Sequence, residues 1–357
     1  MGVTEDIEAL VAIAAPTFAE DARLSWLERR LADVPGERRR GASSSLVWSW
    51  GGSRPELVVT AHVDTVFPEG TVLGVKRVGD DLVGPGVGDN AAAVAVAIAV
   101  AERLLAVEQL APGAVAFTVG EEGLGNLRGA VEVCEQLAPH AFIALEGHGL
   151  EHVIVDAVGS LRARLKVTGP GGHSWVDRGT PSAITALMRC AASLLELDEP
   201  AAPVNVGTVG GGRSVNAIAD RAECLVERRA LCEAPLDHFA TALEALRVDD
   251  RLLLTVQIIG RRPAGRLARD GSLLASVRTA RARLGLADTL GEGSTDANAA
   301  IARGIPALCL GVAYGSGMHT LSERIAAPSL KLGAAQLHEV MRSLLGCPTV
   351  ARKRSGR

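Results

Sequence analysis

Leu57-Val58-Val59-Thr60-Ala61-His62-Val63-Asp64-Thr65 is the stretch whose reading decides the fold. Leu57 to Thr60 is an unbroken run of aliphatic and β-branched residues, the pattern of a strand buried on both faces. A strand of that kind belongs to a parallel sheet and delivers its last side chains to the carboxyl edge, where the ligands and reactive groups of open α/β sheets collect. His62 and Asp64 lie two apart and project to the same side of an extended chain, so the carboxylate is placed to orient or polarise the imidazole. Alone, the pair reads equally well as a strand-end histidine bonded to its neighbour or as the start of a metal site.

The strand is one of several. Runs at Ala114 to Val119, Ala141 to Leu145 and Ile305 to Val312 repeat the pattern, and helical periodicity fills the intervals, with Ala91 to Val100 reading as a buried helix. Strand and helix alternating in this way predict an α/β fold with a mostly parallel sheet and helices on both faces. Helical periodicity from Thr4 to Leu31 breaks at Pro16, a strand is expected at Ser45 to Ser49, and Val66 to Val83 reads as a long excursion. The last helix is expected over Ser329 to Leu345.

Past Val153 the pattern changes. Leu161-Arg162-Ala163-Arg164-Leu165-Lys166-Val167 alternates apolar and basic, as does a sheet with one wet face. Helices at Ser182 to Leu197 and Pro235 to Arg247 and strands at Val204 to Val209, Ala222 to Arg228 and Leu252 to Ile259 complete the order β-α-β-β-α-β. The prediction is a ferredoxin-like domain, residues 156–261, inserted into a larger one formed by residues 1–155 and 262–357.

Composition narrows the function. With 48% hydrophobic and 22% charged residues in 357, the chain is a globular protein with ample core. A net charge of −4 supplies no basic field for nucleic acid, and the basic tail Ala351 to Arg357 reads as a solvated end. The apolar run Ala91 to Val100 is too short for a membrane span, and the acidic start Met1-Gly2-Val3-Thr4-Glu5-Asp6 lacks the features of a secretory signal. Cys134, Cys190, Cys224, Cys232, Cys309 and Cys347 show no metal-binding spacing and read as buried small hydrophobes in a reduced compartment, so a cytoplasmic protein is expected.

The chemistry gathers where strands end. Gly84-Pro85-Gly86-Val87-Gly88-Asp89-Asn90 places an Asp before the Ala-rich helix, where it serves either as an N-cap or as a ligand; the Lys and Ser/Thr of a phosphate loop are missing. Gly120-Glu121-Glu122-Gly123 closes another strand with adjacent acids, whose side chains point apart, so that one can bind a cation while the other faces a substrate. Glu146 ends a third strand, and His319 follows a fourth in Gly315-Ser316-Gly317-Met318-His319-Thr320. Two imidazoles and three carboxylates suit zinc, cobalt or manganese, and suffice for two ions that share a carboxylate.

The set His62-Val63-Asp64, Asp89-Asn90, Glu121-Glu122, Glu146 and His319 resembles the di-zinc aminoacylase and carboxypeptidase superfamily, over nearly the whole chain. The resemblance implies two zinc ions, one held by His62, Asp89 and Glu146, the other by Glu122, His319 and the bridging Asp89, with Asp64 behind His62 and Glu121 as general base and acid. It makes the inserted domain a lid or dimerisation domain of a homodimer. In that domain Gly171-Gly172-His173-Ser174 is similar to the segment whose histidine reaches across the dimer to the scissile carbonyl. Gly211-Gly212-Arg213-Ser214-Val215-Asn216 and Arg229 resemble the Asn and Arg that grip the substrate carboxylate. Ala61 stands where the family usually has Gly, and Asn90-Ala91 follows the bridging Asp where many members carry other pairs. A Glu at 146 goes with deacylases and carboxypeptidases, whereas Gly293-Ser294-Thr295-Asp296-Ala297-Asn298 looks like peptidase-type members. The implied activity is hydrolysis of an N-acyl amino acid or short peptide with a free carboxylate. Aminopeptidase action on di- or tripeptides and a non-catalytic metal-binding scaffold are the alternatives.

Overall fold

A computed structural model describes residues 2–52, 54–107 and 109–346, and the tail Ala351 to Arg357 and Cys347 lie outside the described residues. The chain forms two units, one made of residues up to Asp156 and from Arg266 onward, the other of Ala157–Gly265.

The larger unit is built on a nine-stranded mixed sheet. Its centre is four consecutive parallel strands in the order Gly113–Thr118, Leu57–His62, Ala141–Glu146 and Ala307–Gly311. Antiparallel strands flank them, Leu46–Trp50 and Glu37–Arg40 on one side and Val153–Ala157 on the other. Leu57–His62 is buried at every position, as an aliphatic run in the middle of a sheet must be. Alternate residues serve opposite layers. Leu57, Val59, Val115, Phe117, Ile143 and Leu145 join a core with the helices Val3–Val11, Asp21–Arg30, Ala93–Val107, Ser272–Arg283 and Leu330–Leu345. Val58, Ala114, Ala116, Phe142 and Ala144 join a second core with the helices Arg128–Leu137 and Ala297–Ile301.

The smaller unit runs in the order Gly159–Thr168, Ala183–Leu195, Val204–Gly211, Arg221–Ala230, Glu233–Ala245 and Leu253–Arg262, strand and helix falling as β-α-β-β-α-β. Its sheet is antiparallel, with Arg221–Ala230 and Gly159–Thr168 in the middle. Leu161, Ala163, Leu165 and Val167 are buried beneath the two helices, while Arg162, Arg164 and Lys166 lie on the other face.

The expected long excursion from Val66 to Val83 contains a hairpin, Lys76–Val78 and Asp81–Val83, that joins Arg324–Ala326 and Gly315–Ser316 in a separate four-stranded sheet. Its partners lie far apart in sequence, so no local pattern marks it. The segment that leads into Gly293-Ser294-Thr295-Asp296 is the short strand Leu290–Gly293, whose glycines hide its strand character. Cys232 corrects the expectation of buried cysteines: it is exposed just before the helix Glu233–Ala245, whereas Cys134, Cys190, Cys224 and Cys309 are buried. No helix among the described residues is long and apolar enough to cross a membrane.

Candidate metal centre

The four parallel strands end at one edge, and each hands a side chain to it. His62 closes its strand, Glu146 closes the next, Glu121 and Glu122 follow Gly113–Thr118 after a short turn, and His319 follows Ala307–Gly311. Asp89 comes from the irregular turn Val87–Ala92, in which Asp89 and Asn90 depart from helical backbone. The regular helix starts only at Ala93, so Asp89 is not its N-cap; the turn points the carboxylate toward the histidines, while the Asn90 amide donates to the Leu145 carbonyl at 2.9 Å and ties the turn to the strand of Glu146.

Asp89 sits between two imidazoles. Its Oδ1 is 3.0 Å from His62 Nε2 and its Oδ2 is 3.0 Å from His319 Nε2. His62 Nε2 is also 3.6 Å from Glu146 Oε2, and His319 Nε2 is 3.1 Å from Glu122 Oε1. The five groups thus divide into two triads, His62/Asp89/Glu146 and His319/Asp89/Glu122, sharing only Asp89. Ligand bonds of about 2.0 Å in a tetrahedron set neighbouring donors about 3.3 Å apart, so the observed 3.0 to 3.6 Å is a spacing that a metal's ligands would adopt. Asp89 Oδ1 is a buried oxygen with no aligned hydrogen-bond donor among the described residues, because its contact with His62 is short but poorly directed. A cation would satisfy it. Ligand atoms of His62, Asp89 and Glu122 lie within 4.8 Å of one another, and the donor set fits divalent metal.

The same charge imbalance shifts the pKa values of these groups. Burial opposes a charge on His62, yet Glu146, Asp64 and Asp89 hold its pKa well above the ordinary value. Bonds to Asp89 and Glu122 raise His319 to about 10. Burial pushes Glu146 up to about 7 and raises Glu122, with Asp89 adding repulsion to both. Although burial works against it, Asp89 is held far below the usual carboxylate range by His319 and His62. Protons on the imidazoles here balance anions that would otherwise repel one another, the task a metal ion does better.

Asp64 does more than stand behind His62. His62 Nδ1 is 3.1 Å from the Asp64 backbone carbonyl and 3.5 Å from its carboxylate. The carboxylate itself accepts from Glu121 N at 3.1 Å, Glu122 N at 2.9 Å and the Thr17 hydroxyl at 2.9 Å, fixing the acidic turn. Glu121 is buried beside this turn.

The smaller unit places the other expected residues in two groups. His173 pairs with Ala217 across a short ladder, and Ser174 N donates to the Asn216 carbonyl at 2.9 Å, so His173 and Asn216 adjoin. His173 Nδ1 accepts from Trp175 N at 3.2 Å, which leaves the proton on Nε2 of an exposed ring. Asn216 Oδ1 accepts from the Ser214 hydroxyl. Arg229 is not brought to them. It pairs with Glu227 at 2.5 Å and lies opposite Ser160, at the other end of a strand that meets the His173 side near Arg221. Eight residues of strand separate those ends by roughly 25 Å.

Several buried groups escape sequence reading. Arg23 donates to the Val63 carbonyl at 2.9 Å behind the His62 strand, and burial lowers its pKa to about 10. Glu20 accepts from Gly120 N at 3.1 Å and holds Arg128 at 2.8 Å beside the acidic turn. Asp296, in the loop quoted above but given no role, accepts from the Thr118 hydroxyl at 2.6 Å, and burial raises its pKa. Glu323 receives the backbone of the Asp89 turn. Apart from Asp296 none lies in a quoted motif, and the fold brings them near.

Residues 58–343 match the profile of peptidase family M20/M25/M40. The chain belongs to that family. A probable carboxypeptidase of Paracoccidioides brasiliensis is 26% identical over 232 residues, 57% of this chain and 52% of that protein, so this chain spans about half the length of the curated relatives it matches. A tripeptidase of Staphylococcus aureus has the same fold, with a TM-score of 0.78 and 22% identity over 96% of this chain and 97% of that one. So does a dinuclear metal-binding M20 peptidase of Bacillus subtilis, with a TM-score of 0.65 and 18% identity over 96% and 97%. The M20/M25/M40 match covers all five candidate ligands, from His62 to His319.

Proposed function

We propose that this M20/M25/M40 chain is a zinc-dependent amidohydrolase of the deacylase or carboxypeptidase type, cleaving an N-acyl amino acid or short peptide with a free carboxylate. The observation that carries the reading is Asp89, with one oxygen on each of two histidine-carboxylate triads. Bound divalent ions would polarise the scissile carbonyl and acidify the attacking water. His62, Asp89 and Glu146 would hold one ion, and His319, Asp89 and Glu122 the other. Cobalt or manganese suits the same donors.

Glu121 takes a proton from the water as its oxygen joins the carbonyl carbon, then returns it to the nitrogen as the C–N bond breaks. Asp64 keeps Glu121 and Glu122 pointing apart by gripping both their backbone N–H groups. His173, with its proton fixed on Nε2, is a donor for the developing oxyanion. Asn216 and Arg229 are donors for the substrate carboxylate. Groups roughly 25 Å apart cannot touch one small substrate, so if both act at one centre they come from two copies of the chain, which favours a homodimer. A cytoplasmic location accords with the scattered cysteines.

The test is a paired panel of N-acetyl and N-succinyl amino acids beside unblocked dipeptides, assayed before and after chelation with zinc or cobalt restored. Chelator-sensitive cleavage of blocked substrates, with about two metals per chain, supports the reading. Cleavage confined to free-amine peptides moves it to aminopeptidase. Metal uptake without hydrolysis leaves the metal-binding scaffold reading.

A further inference from the structure

Glu323 is a fully buried carboxylate four residues beyond His319. Its Oε1 accepts from Gly88 N at 3.0 Å, Asp89 N at 2.7 Å and His148 Nε2 at 2.7 Å, and its Oε2 accepts from Gly86 N at 2.8 Å. Its own backbone carbonyl accepts from Gly84 N at 2.9 Å. A carboxylate can accept about four such bonds, and this one is filled by donors from two other loops. One loop carries Asp89. The second carries Glu146, two residues before His148, while Glu323 itself follows His319. The close approach depends on missing side chains: a Cβ on Gly88 would lie 2.7 Å from Glu323 Oε1, and one on Gly315 would lie 2.5 Å from His148 Nδ1.

The geometry points to Glu323 as the positioning residue of the metal centre, a buried carboxylate that locks the bridging Asp89 to the loops of Glu146 and His319. This inference rests on the site being a metal centre. It goes beyond the ligand set, since Glu323 touches no donor atom of the two triads and acts through the backbone that presents Asp89. Ligand geometry set in this way is worth as much as the ligands' identity, because donors misplaced by fractions of an ångström no longer close on a common ion.

Glu323→Gln keeps the shape but offers one acceptor oxygen, and its amide N–H₂ must face an N–H donor. The experiment measures zinc affinity by competition with a chromophoric chelator, together with the melting temperature of the metal-free protein. Glu323→Gln should weaken zinc binding about 10- to 100-fold. His148→Leu, which removes the ring donor, should weaken it less, and His148→Gln, which restores a donor, should recover it. Arg30→Gln breaks a pairing with Asp6 and Glu102 that shares no side chain with these contacts, and should lower the melting temperature without changing zinc affinity. If Glu323→Gln fails to fold, His148→Leu beside His148→Gln decides. Wild-type zinc affinity in Glu323→Gln, or in His148→Leu where the former does not fold, overturns the inference, as does an equal loss in Arg30→Gln. A wild-type chain that takes up no zinc removes the metal-centre reading, and this inference with it.

Discussion

Glu121 and Glu122 are adjacent and chemically alike; Glu122 meets His319 at 3.1 Å, and side chains that alternate along an extended backbone send its neighbour the other way. Removing the carboxylate outside the two triads should separate binding from turnover. Glu121→Ala is expected to retain its metal content, measured by atomic emission, while kcat falls about 100- to 10,000-fold, the contribution of a positioned general base. Retained activity would remove Glu121 from the mechanism. His173→Ala should lower kcat by about 100-fold or more, the scale of one oxyanion donor, with metal content unchanged. At this scale the sequence was most legible. Four of the five ligand candidates converge because each follows a strand of one parallel sheet, and Asp89 joins them from the turn Val87–Ala92. The part that stayed hidden, such as Arg23, Glu20 and Glu323, consists of charged side chains whose partners are backbone groups of distant loops, and nothing in local sequence encodes such a partner.

Elements carry their own tests. Glu227 lies between Arg162 at 2.6 Å and Arg229 at 2.5 Å on the open face of the smaller sheet. Burial would raise its pKa, but the two arginines bring it below the ordinary value. A depressed pKa in the folded state stabilises the fold above the unfolded value and loses that contribution as the pH falls through the folded one. Glu227→Gln should therefore destabilise the smaller unit at neutral pH, with the difference from wild type shrinking as the pH drops below about 4; denaturant melts across pH would show it. A constant difference would mean that the effect comes from shape and not charge. In the larger unit, a Cβ on Gly147 would stand 1.8 Å from the Gly88 carbonyl oxygen. Gly147→Ala must push the two loops apart, at a cost of about 1–3 kcal/mol typical of overpacking, and should weaken zinc binding along with thermal stability. The β-α-β-β-α-β order was legible because each of its elements has the period of its own type. The hairpin Lys76–Val78 and Asp81–Val83 was not, since its short strands are stabilised by Arg324–Ala326 from the far end of the chain.

The two units make a prediction for the whole molecule. Ligands that bind the folded state alone stabilise it by mass action, about 2.7 kcal/mol at a hundredfold excess over Kd. All five candidate ligands belong to the larger unit, so chelation should lower the calorimetric transition of that unit and leave the transition of Ala157–Gly265 in place. A single transition that ignores chelator would argue against a metal centre.

The central strand Ala307–Gly311 lies between Ala141–Glu146 and Val153–Ala157, although both neighbours precede it by more than a hundred residues of chain. On a chain growing from its N-terminus both neighbours emerge first and leave a slot between them for the strand that comes later. Residues 157–265 can complete their own sheet while that slot stands open, and the hydrogen-bonding edge of Ala141–Glu146 waits unpaired for its partner. His319 and Glu323 emerge after the strand that fills it. The five candidate ligands therefore cannot come together on a growing chain until Ala307–Gly311 and the segment through Glu323 have been made, so the order of translation itself delays the assembly of the candidate centre.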